Sequence, residues 1–308
     1  MNVYKSITQL IGNTPMLELS GIGKMQSLDA KVLAKLEYFN PAGSVKDRVG
    51  LAMLNDAEQA GVLTKDTVII EPTSGNTGIG IAAVASARGY RTVIVMPDSM
   101  SVERQKLLKA YGAELVLTDG KLGMTGAIKK AEELKEEYGN AFIPGQFTNP
   151  ANPKCHELTT GPEIWDATDG VIDIFIAGAG TGGTVSGVGK FLKSKNPDIK
   201  IIAVEPKSSP VLSGGMAGAH KIQGIGAGFV PDTLDMSVVD EVVTVSDDEA
   251  LNMIKTLVKT DGILCGVSSA AAVCATIKVA KRENNTKKTI VTLLPDGGEK
   301  YLSLPIFD

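Results

Sequence analysis

The chain has little of what several common chemistries need. It carries three cysteines in 308 residues, Cys155, Cys265 and Cys274, with no C-x-x-C pair. No disulfide framework follows from that set, and a reduced, cytoplasmic setting is expected. Two histidines, His156 and His220, leave too little material for a zinc site or a histidine-based triad. No metal is therefore expected, and an enzymatic base would have to be something else. Long apolar runs are missing too. The longest weakly polar stretch, 262–277, is broken by two serines and a threonine and falls short of the roughly 20 residues of a spanning helix. The first ten residues lack the basic start and apolar stretch of a signal peptide. Charge of one sign is not in excess: 31 Lys and Arg against 35 Asp and Glu give a net charge of −4. No basic surface is expected to draw nucleic acid or an anionic membrane.

What the sequence does have is glycine, 34 of 308 residues, against a usual share of about 7%. There is no collagen period, so these glycines serve tight backbone positions. A hydrophobic fraction of 43% with 21% charged residues is an ordinary globular mix, and the length suits about two domains or one large α/β domain. β-branched runs predict strands over 31–36, 67–71, 92–96, 114–118, 171–177, 200–204 and 289–294. Helical patterns over 45–60, 79–88, 102–111, 124–138, 183–193 and 247–259 fall between them. Several strand runs are apolar on both parities, as strands covered on both faces are. The alternation predicts parallel sheets of right-handed βαβ units. The breaker-dense segment 144–153 (PGQFTNPANP) is the expected domain crossover. No internal repeat or low-complexity tract is visible.

Three segments could carry chemistry. The loop 177–184 (AGAGTGGT) follows a strand and opens a helix; consecutive glycines turn amides toward one point, where the helix dipole adds positive potential. A phosphate would bind there. Gly178, Gly180 and Gly183 also satisfy a dinucleotide fingerprint, with Glu205 at the end of the next strand where a ribose-binding acid belongs. A plain tight turn remains the third reading. The loop 73–78 (TSGNTG) again joins strand to helix, with hydroxyls and an amide among its glycines. It suits a carboxylate and is also readable as a capped turn. In 40–48 (NPAGSVKDR), Ser44 and Asp47 read as a capping box. Lys46 then falls in the first helical turn, where the dipole should lower its pKa, as imine chemistry requires. On spacing alone Lys46 also reads as a solvated surface lysine.

Taken together with 11–15 (IGNTP), 100–104 (MSVER), 222–229 (IQGIGAGF) and 298–302 (GEKYL), these segments resemble the cysteine synthase family. These are the O-acetylserine sulfhydrylases among fold-type II pyridoxal-phosphate enzymes, and the resemblance spans nearly the whole chain. It implies two three-layer α/β domains with mainly parallel sheets, of the tryptophan synthase β-like kind, with the cofactor in the cleft between them. One domain would comprise 1–14 and 37–150, the other 15–36 and 151–308, the latter carrying the phosphate loop. The resemblance implies that Lys46 holds pyridoxal 5'-phosphate as a Schiff base and acts as the catalytic group. Asn76 would meet the ring hydroxyl, and Gly180, Thr181, Gly182, Gly183 and Thr184 the phosphate. Ser268 would face the pyridine nitrogen. Thr73, Ser74, Gly75, Thr77 and Gln146 would hold the substrate carboxylate, with Gly226 on the opposite wall.

The implied activity is β-replacement, a transferase reaction of cysteine biosynthesis. O-acetylserine and sulfide become cysteine and acetate through an aminoacrylate, which closure of the 73–78 loop would shield from water. A cytoplasmic homodimer is implied, able to bind the C-terminus of serine acetyltransferase, with no nucleic acid and no membrane partner. Read without the resemblance, Ser268 and Ser269 would cap a helix, Gln146 would be a loop amide, Cys265 and Cys274 small buried residues, and His156, His220 and Trp165 structural. Two positions depart from the family pattern: Ala270, where glycine is usual, and Asp296, where a small neutral residue is usual. Either would retune the second substrate without abolishing cofactor binding. The rival readings are an enzyme of the cystathionine β-synthase type accepting homocysteine, a nicotinamide oxidoreductase built on Gly178–Gly183, and a pyridoxal-binding scaffold whose role is docking.

Overall fold

The computed structural model describes residues 3–303; the outermost ends of the expected domain ranges, Met1 and Asp308, lie outside the described residues. Along the chain the strands are β1 (Met16–Glu18), β2 (Lys31–Leu36), β3 (Val68–Pro72), β4 (Thr92–Pro97), β5 (Glu114–Thr118), β6 (Ala141–Phe142), β7 (Ile174–Gly178), β8 (Lys200–Pro206), β9 (Glu241–Val245) and β10 (Thr289–Leu294). The α-helices are α1 (Ser20–Met25), α2 (Lys46–Gln59), α3 (Asn76–Arg88), α4 (Val102–Ala110), α5 (Gly123–Tyr138), α6 (Ala151–Cys155), α7 (Gly161–Ala167), α8 (Gly183–Lys195), α9 (Asp247–Asp261) and α10 (Val267–Ala280). Two compact units result. The first comprises the chain up to Ile11 with Asn40–Ala151, the second Gly12–Phe39 with everything from Asn152 on.

The first unit holds a parallel sheet of order β5-β4-β3-β6. Its central strands β3 and β4 are apolar on both parities because both faces are covered, whereas β5 at the edge is half-exposed. Val68, Ile70, Val93 and Val95 pack on Ala127, Ala131 and Leu134 of α5. Ile94 and Met96 point the other way, into a cluster with Ile79, Ala82 and Leu108 of α3 and α4. The helix α2 crosses α3 at unusually close range: a Cβ on Gly50 would lie 2.9 Å from the Gly80 carbonyl carbon, and one on Gly80 2.5 Å from the Lys46 carbonyl oxygen. Only glycine lets two helix backbones approach that far.

The second unit holds a sheet of order β1-β2-β10-β7-β8-β9, parallel except for the antiparallel β1–β2 pair. Inward residues of β2, β7, β8 and β10 share one core with α9 and α10, while α8 lies close to Ile201 through Gly189. The 11–15 motif fastens the edge of this unit. Asn13 N–H donates to Glu163 at 3.0 Å, and the Thr14 hydroxyl to the buried Glu37 carboxylate at 2.6 Å. Buried Lys35 donates to the Thr14 carbonyl at 2.6 Å and pairs with Glu163 at 2.7 Å.

The α/β architecture with two mainly parallel sheets is the one expected. Differences in detail have local causes. β7 starts at Ile174 and not at 171, because Gly170 (φ +73°) turns the chain and the Val171 N–H bonds back to Thr168. Strands β1, β6 and β9 lie outside the expected set, as does α10, whose residues are buried on nearly every side and so show no amphipathic period. The start of α2 is not a reciprocal capping box. The Ser44 hydroxyl accepts from Lys46 N–H at 3.1 Å, but Asp47 reaches back to the Ala42 N–H at 2.6 Å. The turn 40–44 brings that earlier amide within reach, and Asp47 is buried against it.

Candidate active site

In the first unit the candidate residues gather at the C-terminal end of β3 and the starts of α2 and α3, where open α/β sheets present their ligands. Lys46 is the first residue of α2, half-buried. The loop after β3 runs through Thr73, Ser74 and Gly75 into Asn76, the first residue of α3. First-turn amides of a helix have no intrahelical acceptor, and here they stand beside side-chain donors. Thr73, Thr77 and Gln146 are brought together. The Thr77 hydroxyl donates to Gln146 Oε1 at 2.6 Å, and Gln146 Nε2 lies 3.5 Å from Thr73 Oγ1. Arg104, from the 100–104 motif, donates to the Ser74 carbonyl at 3.3 Å and so pins the loop from α4.

Sequence reasoning passed over a residue beneath this cluster. Glu71, in β3, is buried and accepts the amides of Gly145 at 3.0 Å and Gln146 at 3.4 Å. Burial pushes its carboxyl up to about 7, against the lowering effect of those two amides. The signal available was a lone acid in an otherwise apolar strand run.

In the second unit the loop after β7 leads into α8 at Gly183, with Gly182 at φ +79°. A Cβ on Gly180 would lie 2.3 Å from the Gly224 carbonyl oxygen, and one on Gly183 2.1 Å from Asn152 Oδ1. The loop is therefore held by its walls with its amides at a helix start. Asn152 donates to the Thr181 hydroxyl at 2.9 Å. His156, fully buried, lies 2.9 Å from Thr160 Oγ1 through Nδ1 and 3.3 Å from Thr184 Oγ1 through Nε2. Its part is thus structural, but it backs the loop itself. Gly226 donates its N–H to the Ala179 carbonyl at 3.0 Å, and its own carbonyl lies 3.0 Å from His220 Nε2.

Ser268 is buried in the first turn of α10, beside Gly224: a Cβ there would sit 3.3 Å from Ser268 Oγ. Neither Ser268 nor Ser269 caps the helix, whose N-cap is Gly266. Ser269 donates instead to the Asp296 carbonyl at 3.0 Å. The unusual Asp296 is buried and accepts from the Tyr301 hydroxyl at 2.7 Å, so this departure is met by a partner in the closing motif. Cys155, Cys265 and Cys274 are buried and none is in a disulfide among the described residues, and burial pushes the Cys274 thiol up to about 12.

The donor sets fit pyridoxal phosphate. A helix start with no room for a single extra carbon at Gly180 or Gly183 suits a phosphate, and a buried hydroxyl at Ser268 suits a ring nitrogen. A nicotinamide dinucleotide does not fit. Glu205 is 1% exposed, and its carboxylate is engaged by the amides of Leu212 at 2.8 Å and Ser213 at 3.0 Å, with no face left for a ribose.

Comparison with known proteins agrees with that chemistry. A family model described as pyridoxal-phosphate dependent enzyme matches residues 7–296. A cysteine synthase of Staphylococcus aureus is 55% identical over 303 residues, covering 98% of this chain and 96% of that protein. Among solved structures, a cysteine synthase (OASS) of Entamoeba histolytica has a TM-score of 0.97 at 47% identity, covering 99% of this chain and 91% of its own. A hydrogen sulfide-producing enzyme of Fusobacterium nucleatum has a TM-score of 0.94 at 46% identity, covering 98% and 99%.

Proposed function

The chain belongs to the cysteine synthases of the pyridoxal-phosphate dependent enzyme family, and from that membership we propose how its residues divide the conversion of O-acetylserine and sulfide into cysteine and acetate. Pyridoxal phosphate, when bound, supplies the electron sink that stabilises charge at the substrate α-carbon and lets acetate leave from the β-carbon. Lys46 would tether the cofactor and, when its amine is free, carry the α-proton on Nζ. In the first unit Asn76 would meet the ring hydroxyl, while Thr73, Ser74, Gly75, Thr77 and Gln146 hold the substrate carboxylate. In the second unit the amides and hydroxyls of Gly180, Thr181, Gly182, Gly183 and Thr184 would hold the phosphate, with Ser268 at the pyridine nitrogen. A serine there need not protonate the ring, which favours elimination over transamination. Gly226 would line the substrate side. We also propose a cytoplasmic homodimer whose site receives the C-terminus of serine acetyltransferase. The family resemblance supports these last points, and no helix among the described residues is long and apolar enough to cross a membrane.

The observation that best supports the assignment is the contrast of two anion-binding helix starts, glycine-walled at α8 and hydroxyl-rich at α3. The visible spectrum of the purified protein tests it. The band of bound cofactor should shift on adding O-acetylserine alone and recover on adding sulfide, with weaker recovery on homocysteine. A protein that stays colourless after incubation with pyridoxal phosphate would refute the reading.

A further inference from the structure

Glu71 stands where a charge is least welcome, in a strand whose neighbours Val68, Ile69 and Ile70 are all buried. Such a carboxylate persists only if its oxygens are satisfied. Both are, and by one place: Oε2 takes the N–H of Gly145 at 3.0 Å and Oε1 the N–H of Gln146 at 3.4 Å. Gly145 has φ +69°, the left-handed conformation that turns two successive amides toward one anion. The same Gln146 sends its side chain to Thr77 at 2.6 Å and Thr73 at 3.5 Å. A carboxylate inside the unit therefore holds the backbone of the residue whose amide completes the hydroxyl cluster.

We propose that Glu71 is a positioning residue, fixing Gln146 so that its side chain and the two threonines are set for the substrate carboxylate. The inference rests on the reading that Gln146 holds that carboxylate. It also carries a pH dependence. Glu71 titrates at about 7, raised by burial and lowered by the two amides, with no charged side chain from the packed elements contributing among the described residues. The ionised form accepts both amides. The neutral form turns one oxygen into a donor and loses one of them. Substrate binding through Gln146 should accordingly weaken as the pH falls through 7.

Steady-state kinetics of the holoenzyme from pH 6 to 8.5 test this, with Glu71→Gln and Gln146→Ala beside the wild type. Glu71→Gln should raise KM for O-acetylserine about tenfold at pH 8, the size of a lost charge-assisted bond. KM for sulfide and the absorbance of bound cofactor should not move. The ratio of KM in Gln146→Ala to KM in the wild type should shrink several-fold between pH 8 and pH 6, because the wild type loses the positioned amide that the variant already lacks. A ratio independent of pH overturns the proposal, and that measurement does not require Glu71→Gln to fold. If Gln146→Ala leaves KM unchanged, the carboxylate reading itself fails. If Gln146→Ala raises KM and Glu71→Gln does not, the positioning role alone fails.

Discussion

Two loops, each running from a strand into a helix, are suited to an anion in different ways. The 178–184 loop is built mainly of backbone: its amides are presented by glycines pressed against Gly224 and Asn152, its two threonine hydroxyls are held by Asn152 and His156, and among the described residues no acidic side chain bonds to it. The 73–77 loop is built of side chains, Thr73 and Thr77 with Gln146, set above a buried acid. Amides presented in this way depend on close packing and do not themselves titrate. A side-chain cluster depends on what orients each group, and here that includes an acid that ionises near neutrality. The first suits a group held through every turnover, the second a group that must come and go.

The comparison can be broken in graded ways. Lys46→Ala lies outside both loops and should reduce turnover by more than about 10³-fold, the scale of losing a proton-transfer group, as read in a cysteine-formation assay. The next effect belongs to the side-chain loop alone. An acid whose value rises on folding, here from 4.5 to about 7, contributes stability below the unfolded value and loses it as the pH climbs toward the folded one. Relative to Glu71→Gln, the wild type should therefore lose up to roughly 3 kcal/mol between pH 4.5 and 7.5, measured by urea unfolding of the two holoenzymes. Gly183→Ala should weaken pyridoxal phosphate binding by roughly 30-fold at any pH, an overpacking cost of about 2 kcal/mol, since the added carbon would lie 2.1 Å from Asn152 Oδ1. Equilibrium titration with cofactor reads it. Thr77→Val should raise KM for O-acetylserine about fivefold by removing one hydrogen bond, leaving cofactor affinity unchanged. If Gly183→Ala were strongly pH-dependent, or Glu71→Gln changed cofactor affinity, the division between the two loops would not hold.

Much of this was legible in the sequence because it depends on order along the chain. Lys31–Leu36, Glu114–Thr118 and Thr289–Leu294 are runs rich in apolar and β-branched residues, and they form strands at those bounds. The glycine loop declares its strand and helix on either side. What was hidden depends on tertiary placement. Strand β1 is three residues long and pairs antiparallel at an edge. The buried α10 has no polar face to give it a period. Glu205 sits at a spacing that suits a ribose, and only the fold shows it bound to the amides of the next loop. Glu71 reads as the polar end of a strand until its distance partners, 74 and 75 residues away, are seen.

The crossing of α2 and α3 has a consequence for anyone altering this protein by mutagenesis. Lys46 lies one turn from Gly50, and Asn76 one turn from Gly80, at the contact where the two backbones touch. A library that varies 50 or 80 would displace the lysine and the asparagine against each other, and its members would be lost for reasons unconnected with chemistry. Gly23, with no atom within 4 Å of an added Cβ, sits in α1 at a position where alanine should be gained at no cost. Tolerance to change at a glycine is thus set by what stands opposite it together with its φ, so Gly89, equally open but at φ +75°, would not share that freedom, and a screen weighted by both would keep its active fraction high.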